Sequence, residues 1–375
     1  VGTILPTLQK PEPVLGGILS RNNKTPINSK MKMKYAQQPF HPTLAFITAL
    51  GLLLGATACG PILQPLPDSV QTELDNALEY GFDGLMVYVD RAGEDPAYYA
   101  AGVNNRESQV PVDSQDLFKI ASISKLYIAT AVAKLAATGT LSLDRTLAEY
   151  LPKLSDRIEN ADEITLRMLV QHRSGIPNFI DEPDFDWDEP PYTSQESLEL
   201  VLDGAADFRP DKWYKYSNTN FLLLGYILDQ TLGYSHHRYI EEEILIPLGL
   251  NNTYNVLSEA PLEEVMSGYS EGWPYDIKPN EYRVPGGSMV ASIRDVGVFL
   301  RALNDGSLLN EDEQAINSSI YRYEHTGLLP GYQSIARYHA DIDAVVIQFN
   351  NTSGGTMWAK GETVYRRVMR IVRRD

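Results

Sequence analysis

Ser122 and Lys125 stand three residues apart in the run 118–129, where a turn of small residues leads into an amphipathic helical pattern. Residues i and i+3 of a helix share a face, roughly 5–6 Å apart, so Ser122 Oγ can pass a proton to Lys125 Nζ. A serine hydroxyl is a weak nucleophile until a neighbour takes that proton. An amine can serve as the acceptor near neutral pH only if its pKa is lowered, as burial does. Ser122 also falls at the predicted helix N-terminus, where unpaired N–H groups and the positive dipole end favour developing negative charge. The spacing alone decides little, because about one or two such pairs arise by chance in a chain of this length. Ser29 and Lys32 form another.

Two further motifs follow. Tyr216-Ser217-Asn218 is the sole Tyr-x-Asn, and His325-Thr326-Gly327 lies beyond it in a β-rich stretch. In this order the three resemble the signature of the serine β-lactamase and D,D-peptidase-like hydrolases: class C β-lactamases, D-alanyl-D-alanine carboxypeptidases and family VIII-type esterases. Phe208-Arg209-Pro210, the run 169–177, and Pro285-Gly286-Gly287 with Asp295 after it fit the same pattern, so the resemblance covers about residues 65–375.

The resemblance implies an acyl-enzyme at Ser122, with Lys125 as proton acceptor or relay and Tyr216 returning a proton to the leaving group. Which of Lys125 and Tyr216 is the acylation base stays open. Asn218 is expected to hold the acyl-side amide of the substrate and to orient Lys125. His325, where many relatives carry Lys, is expected to meet a substrate carboxylate as an imidazolium, in a pH-dependent way. Thr326 adds a hydroxyl there, and Gly327 leaves room for a substrate along the strand. The oxyanion hole is expected from the backbone N–H groups of Ser122 and Leu328. This chemistry needs no metal and no cofactor. The substrate is expected among peptidoglycan stem peptides, β-lactams and esters; the alternative is a non-catalytic envelope interaction module.

The elements that must position these residues can be outlined from the pattern. A helix capped by Asp68-Ser69 runs to about Tyr80, strands follow over 84–90 and 97–103, and the Ser122 helix continues to about Ala137 and stops at Gly139. Helical segments are expected over 147–151, 164–171, 195–202, 220–232 and 236–246, with no convincing strand between them. A helix over 293–304, strands over 320–326, 331–339 and 344–350, and a closing helix over 360–373 complete the chain. The expected fold class is an α/β (α+β) sandwich, an antiparallel sheet flanked by terminal helices, built from 68–139 and 281–375. Residues 140–280 form an inserted, mostly helical lobe, with the site in the cleft between.

Upstream, residues 1–30 read as vector sequence or an over-extended start. Lys32 and Lys34, the apolar run 44–54 and the small residues before Cys59 read as an export signal within 1–58. Cys59, the one cysteine, stands after Ala56-Thr57-Ala58 as in a lipoprotein box. Lipidation there, with 59–67 as tether, implies a membrane-anchored, extracytoplasmic protein in the periplasm or cell envelope. The net charge of −17 argues against a nucleic-acid partner. The acidic stretch 181–189, with Phe185 and Trp187 inside it, reads as a solvated loop, or else as a cleft wall that repels anions. His236-His237 ahead of Glu241–Glu243 reads as a solvent-facing helix rather than a metal site, and His172 as structural.

Overall fold

The structure, a computed structural model, describes residues 65–191 and 193–374. The expected export signal and Cys59 lie outside the described residues. Thr72 N–H donates to Ser69 Oγ and so caps the helix Val70–Ala77, which a 3-10 turn extends through Leu78–Tyr80. Gly81 ends it at φ 95°, a left-handed conformation that glycine adopts without penalty.

Period-2 patterning then gives a five-stranded antiparallel sheet in the order Ala97–Gly102, Gly84–Arg91, Ala344–Asn350, Tyr332–His339, His325–Leu329. Successive side chains alternate between faces. Leu85, Val87, Ile335 and Val346 pack under the first helix and the closing helix Met357–Val372. Met86, Tyr88, Ala336, Ile347 and Phe349 face the opposite way, into a larger core shared with the helix Ser124–Ala137 and the helix Asn218–Leu232. That one core runs from the sheet into the helical segments between residues 140 and 280, so the catalytic elements rest on a continuous apolar support. Each fully buried Leu, Ile or Phe contributes roughly 1.5–3 kcal/mol to holding it.

Three departures from the sequence expectation bear on the site. Residues Glu311–Ile320 form a helix that periodicity did not announce, although Asn310 and Glu313 make a capping box. The strand expected over 320–326 starts only at His325, because Tyr323 O accepts from Asn304 Nδ2 (3.1 Å) and its hydroxyl donates to Gln314 O. Finally, Leu117–Lys119, Val290–Ser292 and Thr253–Tyr254 form a small antiparallel sheet. Its strands are too short for a period to show, yet it places the 285–289 loop against the nucleophile turn, with Ile120 N–H donating to Met289 O at 3.0 Å.

Candidate active site

Ser122 lies in the turn Ala121–Ile123 that opens the helix Ser124–Ala137. Ala121, immediately before it, has φ 51°, a left-handed conformation costly for a residue with a Cβ. The surroundings hold it there. Ser124 Oγ donates to Ala121 O at 2.6 Å, Met289 N–H donates to Ser124 Oγ at 3.3 Å, and Ser334 Oγ donates to Ile120 O at 3.1 Å. The turn is thus clamped from its own helix, the 285–289 loop and the sheet.

The spacing argument holds in three dimensions: Lys125 Nζ is 3.1 Å from Ser122 Oγ. Lys125 is wholly buried, and Nζ also donates to Asn218 Oδ1 at 2.8 Å and Gly286 O at 2.7 Å. Burial holds its pKa down to about 7. Both extra partners are oxygens that can only accept. With the amine neutral, two N–H bonds are spent on them, and the remaining tetrahedral direction, towards Ser122 Oγ, carries the lone pair. Gly286 is required twice over: its φ is 78°, and a Cβ would sit 2.9 Å from Lys125 Cγ.

Tyr216 OH donates to Ser122 Oγ at 2.9 Å. Burial pushes this phenol well above its ordinary pKa, with the hydrogen bond to Ser122 opposing, so it is a proton donor at neutral pH. Its ring lies against His172, 4.4 Å between centroids, while Trp213 and Tyr214 just before it in the chain are exposed. His172 is buried and its Nδ1 accepts from Ser217 N–H at 3.2 Å, while burial lowers its pKa.

A residue that the sequence did not single out fixes Asn218. Asn178 Oδ1 accepts from both Asn218 N–H (2.9 Å) and Asn218 Nδ2 (3.2 Å), which turns Asn218 Oδ1 towards Lys125. The loop carrying it is strapped to the same helix start: Thr219 Oγ1 donates to Pro177 O at 2.7 Å, and Phe179 N–H donates to Thr219 Oγ1 at 3.1 Å. The run 169–177 was therefore a usable signal. Asp211 adopts φ 61° and pairs with Arg173 at 2.5 Å.

The edge strand His325–Leu329 corrects two expectations. A Cβ on Gly327 would meet Ile120 O at 2.3 Å and Ser334 Oγ at 2.2 Å; the glycine admits the nucleophile turn, not a substrate. The strand backbone thereby runs beside Ser122, and Leu328 lines the same pocket as Ser122. His325 is buried, with Nδ1 2.5 Å from Thr326 O and Nε2 2.9 Å from Tyr321 OH. A carbonyl can only accept, so Nδ1 carries the proton and Nε2 accepts from the phenol. Burial, with Lys125 nearby, lowers its pKa to about 3. An imidazolium meeting a substrate carboxylate does not fit this environment. Thr326, half-buried, pairs with Ile335 across the sheet.

Two other expectations change. His236 is buried and bonded to Asp229 Oδ1 at 2.7 Å, so its end of that helix faces inward. The stretch 181–189 is a cleft wall: Phe185 and Trp187 line a pocket with Ser122, while Asp184, Asp186, Asp188 and Glu189 point to solvent.

Residues 66–319 match the protein family described as Beta-lactamase. The chain belongs to this family. It is 30% identical over 199 residues to a beta-lactamase of Pseudomonas fluorescens, covering 52% of each chain. It is 27% identical over 214 residues to esterase EstB of Burkholderia gladioli, again covering 52% of each. The chain thus spans about half the length of these two relatives. Its fold is similar to that of the D-amino acid amidase from Ochrobactrum anthropi SV3 complexed with L-phenylalanine amide, with a TM-score of 0.70 at 24% identity over 81% of this chain and 97% of that one.

Proposed function

We propose that this member of the beta-lactamase family hydrolyses an amide or ester through an acyl-enzyme at Ser122. The observation that carries the reading is the buried Lys125, whose two accepting partners leave its lone pair on Ser122 Oγ. Lys125 takes the serine proton as Ser122 attacks the carbonyl carbon. The oxyanion forms at the backbone N–H groups of Ser122 and Leu328, where preorganised donors contribute typically about 3–4 kcal/mol in the transition state. Tyr216 delivers its proton to the leaving atom and recovers one from the Lys125 ammonium. Water then attacks the acyl-enzyme, giving a proton to Lys125, which returns it to Ser122 Oγ as the acid leaves. The phenol's raised pKa favours this assignment over a tyrosinate base.

D,D-peptides, β-lactams and esters all fit this chemistry. Intact-mass spectrometry after brief exposure to a chromogenic β-lactam and, separately, an activated ester tests it, with Ser122→Ala as control. A Ser122-dependent adduct or turnover is expected; no adduct and no turnover with either would move the chain to the binding-module reading. Export and lipid anchoring through Cys59 belong to the same proposal, checked by labelling cells with a fatty-acid probe and comparing Cys59→Ser.

A further inference from the structure

The pocket beside Ser122 has a side and a chemistry. Tyr216, the donor to the leaving atom, does not line it, whereas Asn218 and Leu328 do; a substrate positioned for Ser122 therefore puts its acyl portion there. Its wall is aromatic. Phe179, Phe185, Trp187 and Tyr282 stand edge to face in sequence, with centroids 5.5, 4.9 and 5.5 Å apart. Such contacts make a firm apolar surface rather than a loose one.

The wall is held from behind. Tyr282 OH donates to Trp187 O at 3.3 Å, and Tyr275 OH donates to Asp188. Lys119, buried, ties the segment before Tyr282 to the sheet through Asn280 O at 2.6 Å. The enclosed part of the pocket is small, about 60 Å³, so a substrate group lies against this wall partly at the open mouth.

Charge points the same way. Among the described residues, no side chain lining the pocket is ionised, and the outer side of its wall carries Asp184, Asp186, Asp188 and Glu189. On the leaving side, both His325 nitrogens are occupied inside the protein. Arg322, the cation that acts on Tyr216 and His325 from this side, is exposed to solvent, so a substrate carboxylate there gives up hydration for a solvent-screened partner.

We infer that the acyl pocket takes an aromatic or comparably bulky apolar group, and that the preferred amide or ester carries no carboxylate on its leaving group. This rests on the acyl-enzyme reading above and narrows it away from substrates that present a carboxylate.

The test uses the full chain and two matched pairs of substrates. The first compares p-nitrophenyl phenylacetate with p-nitrophenyl acetate. The second compares phenylacetyl thioesters of 3-mercaptopropionamide and 3-mercaptopropionate, which pass through one common acyl-enzyme. Expected are a phenylacetyl preference of about 30- to 100-fold in kcat/KM and a preference of about tenfold for the uncharged leaving group. Trp187→Ala should collapse the first ratio and leave the second, and Trp187→Phe should restore most of the first. Each ratio is taken within one variant, so partial misfolding cannot mimic the result. Equal use of acetyl and phenylacetyl esters, or a preference for the carboxylated thioester, overturns the inference while a Ser122 adduct keeps the acyl-enzyme reading. Loss of the adduct from every ester overturns both.

Discussion

The nucleophile corner and the pocket wall lie side by side but are built on opposite principles. At the corner, Ser122, Lys125, Tyr216 and Asn218 meet within hydrogen-bond distance, and further polar groups hold them: Gly286 O on Lys125, Asn178 Oδ1 on Asn218, Met289 N–H on Ser124. The wall over 179–191 is made of rings stacked edge to face, with carboxylates on the far side and few backbone bonds of its own. Directional bonds of 2.7–3.3 Å fix a geometry that proton transfer requires. Apolar contacts fix a volume and tolerate change of shape. Chemistry and selectivity should therefore fail separately, and substitutions in the two regions should have different signatures.

The largest effect is expected at Lys125. Lys125→Met keeps the apolar stem and removes the proton acceptor, so kcat/KM should fall by about 10²–10⁴ for every substrate alike. A loss confined to aromatic acyl groups would show that Lys125 shapes the pocket and does not act on Ser122. Next in size is Gly286→Ala, which combines a φ of 78° with a Cβ 2.9 Å from Lys125 Cγ. Backbone strain of this kind costs of order 1–3 kcal/mol, or about ten- to a hundredfold in rate, again without a change in acyl selectivity. Steady-state kinetics on two esters checks both variants.

The pH profile sharpens the same contrast. Lys125 must be neutral to accept a proton, and burial puts its pKa at about 7. Below that value kcat/KM should fall about tenfold per pH unit, and above it the curve should level. The acetyl and phenylacetyl esters should share this limb, because among the described residues the pocket lining carries no ionised group. A limb that shifts with the acyl group would mean that the wall, not Lys125, titrates.

How far the sequence foretells these regions follows the same division. Ser122, Lys125 and Tyr216 could be read because motif spacing and helix geometry act locally, and the strand Ala344–Asn350 because it is buried on both faces and uniformly apolar apart from Gln348 and Asn350. Asn178 could not be weighed, since its task depends on a helix 40 residues away. Gly327 was noticed for a wrong reason: a lone glycine signals close approach, but not which partner approaches. The wall's period of two, Phe185 and Trp187 between acids, was visible as a pattern. Only folding shows that its apolar face meets Ser122 and not solvent. The small sheet around Phe118 and Ala291 left no signal, because strands of two or three residues have no period to detect.

The smallest expected effect on catalysis is at His325, and it distinguishes a catalytic limb from a stability limb. The folded pKa, lowered to about 3 by burial and Lys125, lies below the ordinary histidine value near 6.5. The unfolded chain therefore binds a proton that the folded chain refuses. The stability contributed by the neutral ring is fully present above about pH 6.5 and is lost as pH falls towards 3. At pH 5 the loss is about 2 kcal/mol. His325→Gln should unfold at lower temperature than the wild type at pH 8, since the bonds to Tyr321 OH and Thr326 O are disturbed. The gap should narrow at pH 5, because the variant has no ring to protonate there. His172, also buried and lowered, continues to titrate in both proteins and cancels from the comparison. Meanwhile the activity limb near pH 7 should stay where it is. Thermal unfolding at the two pH values, beside the kinetic profile, decides the matter. A limb that moves with His325→Gln would put this histidine in contact with the reacting groups, whereas a constant gap in unfolding temperature would mean that it is not held neutral.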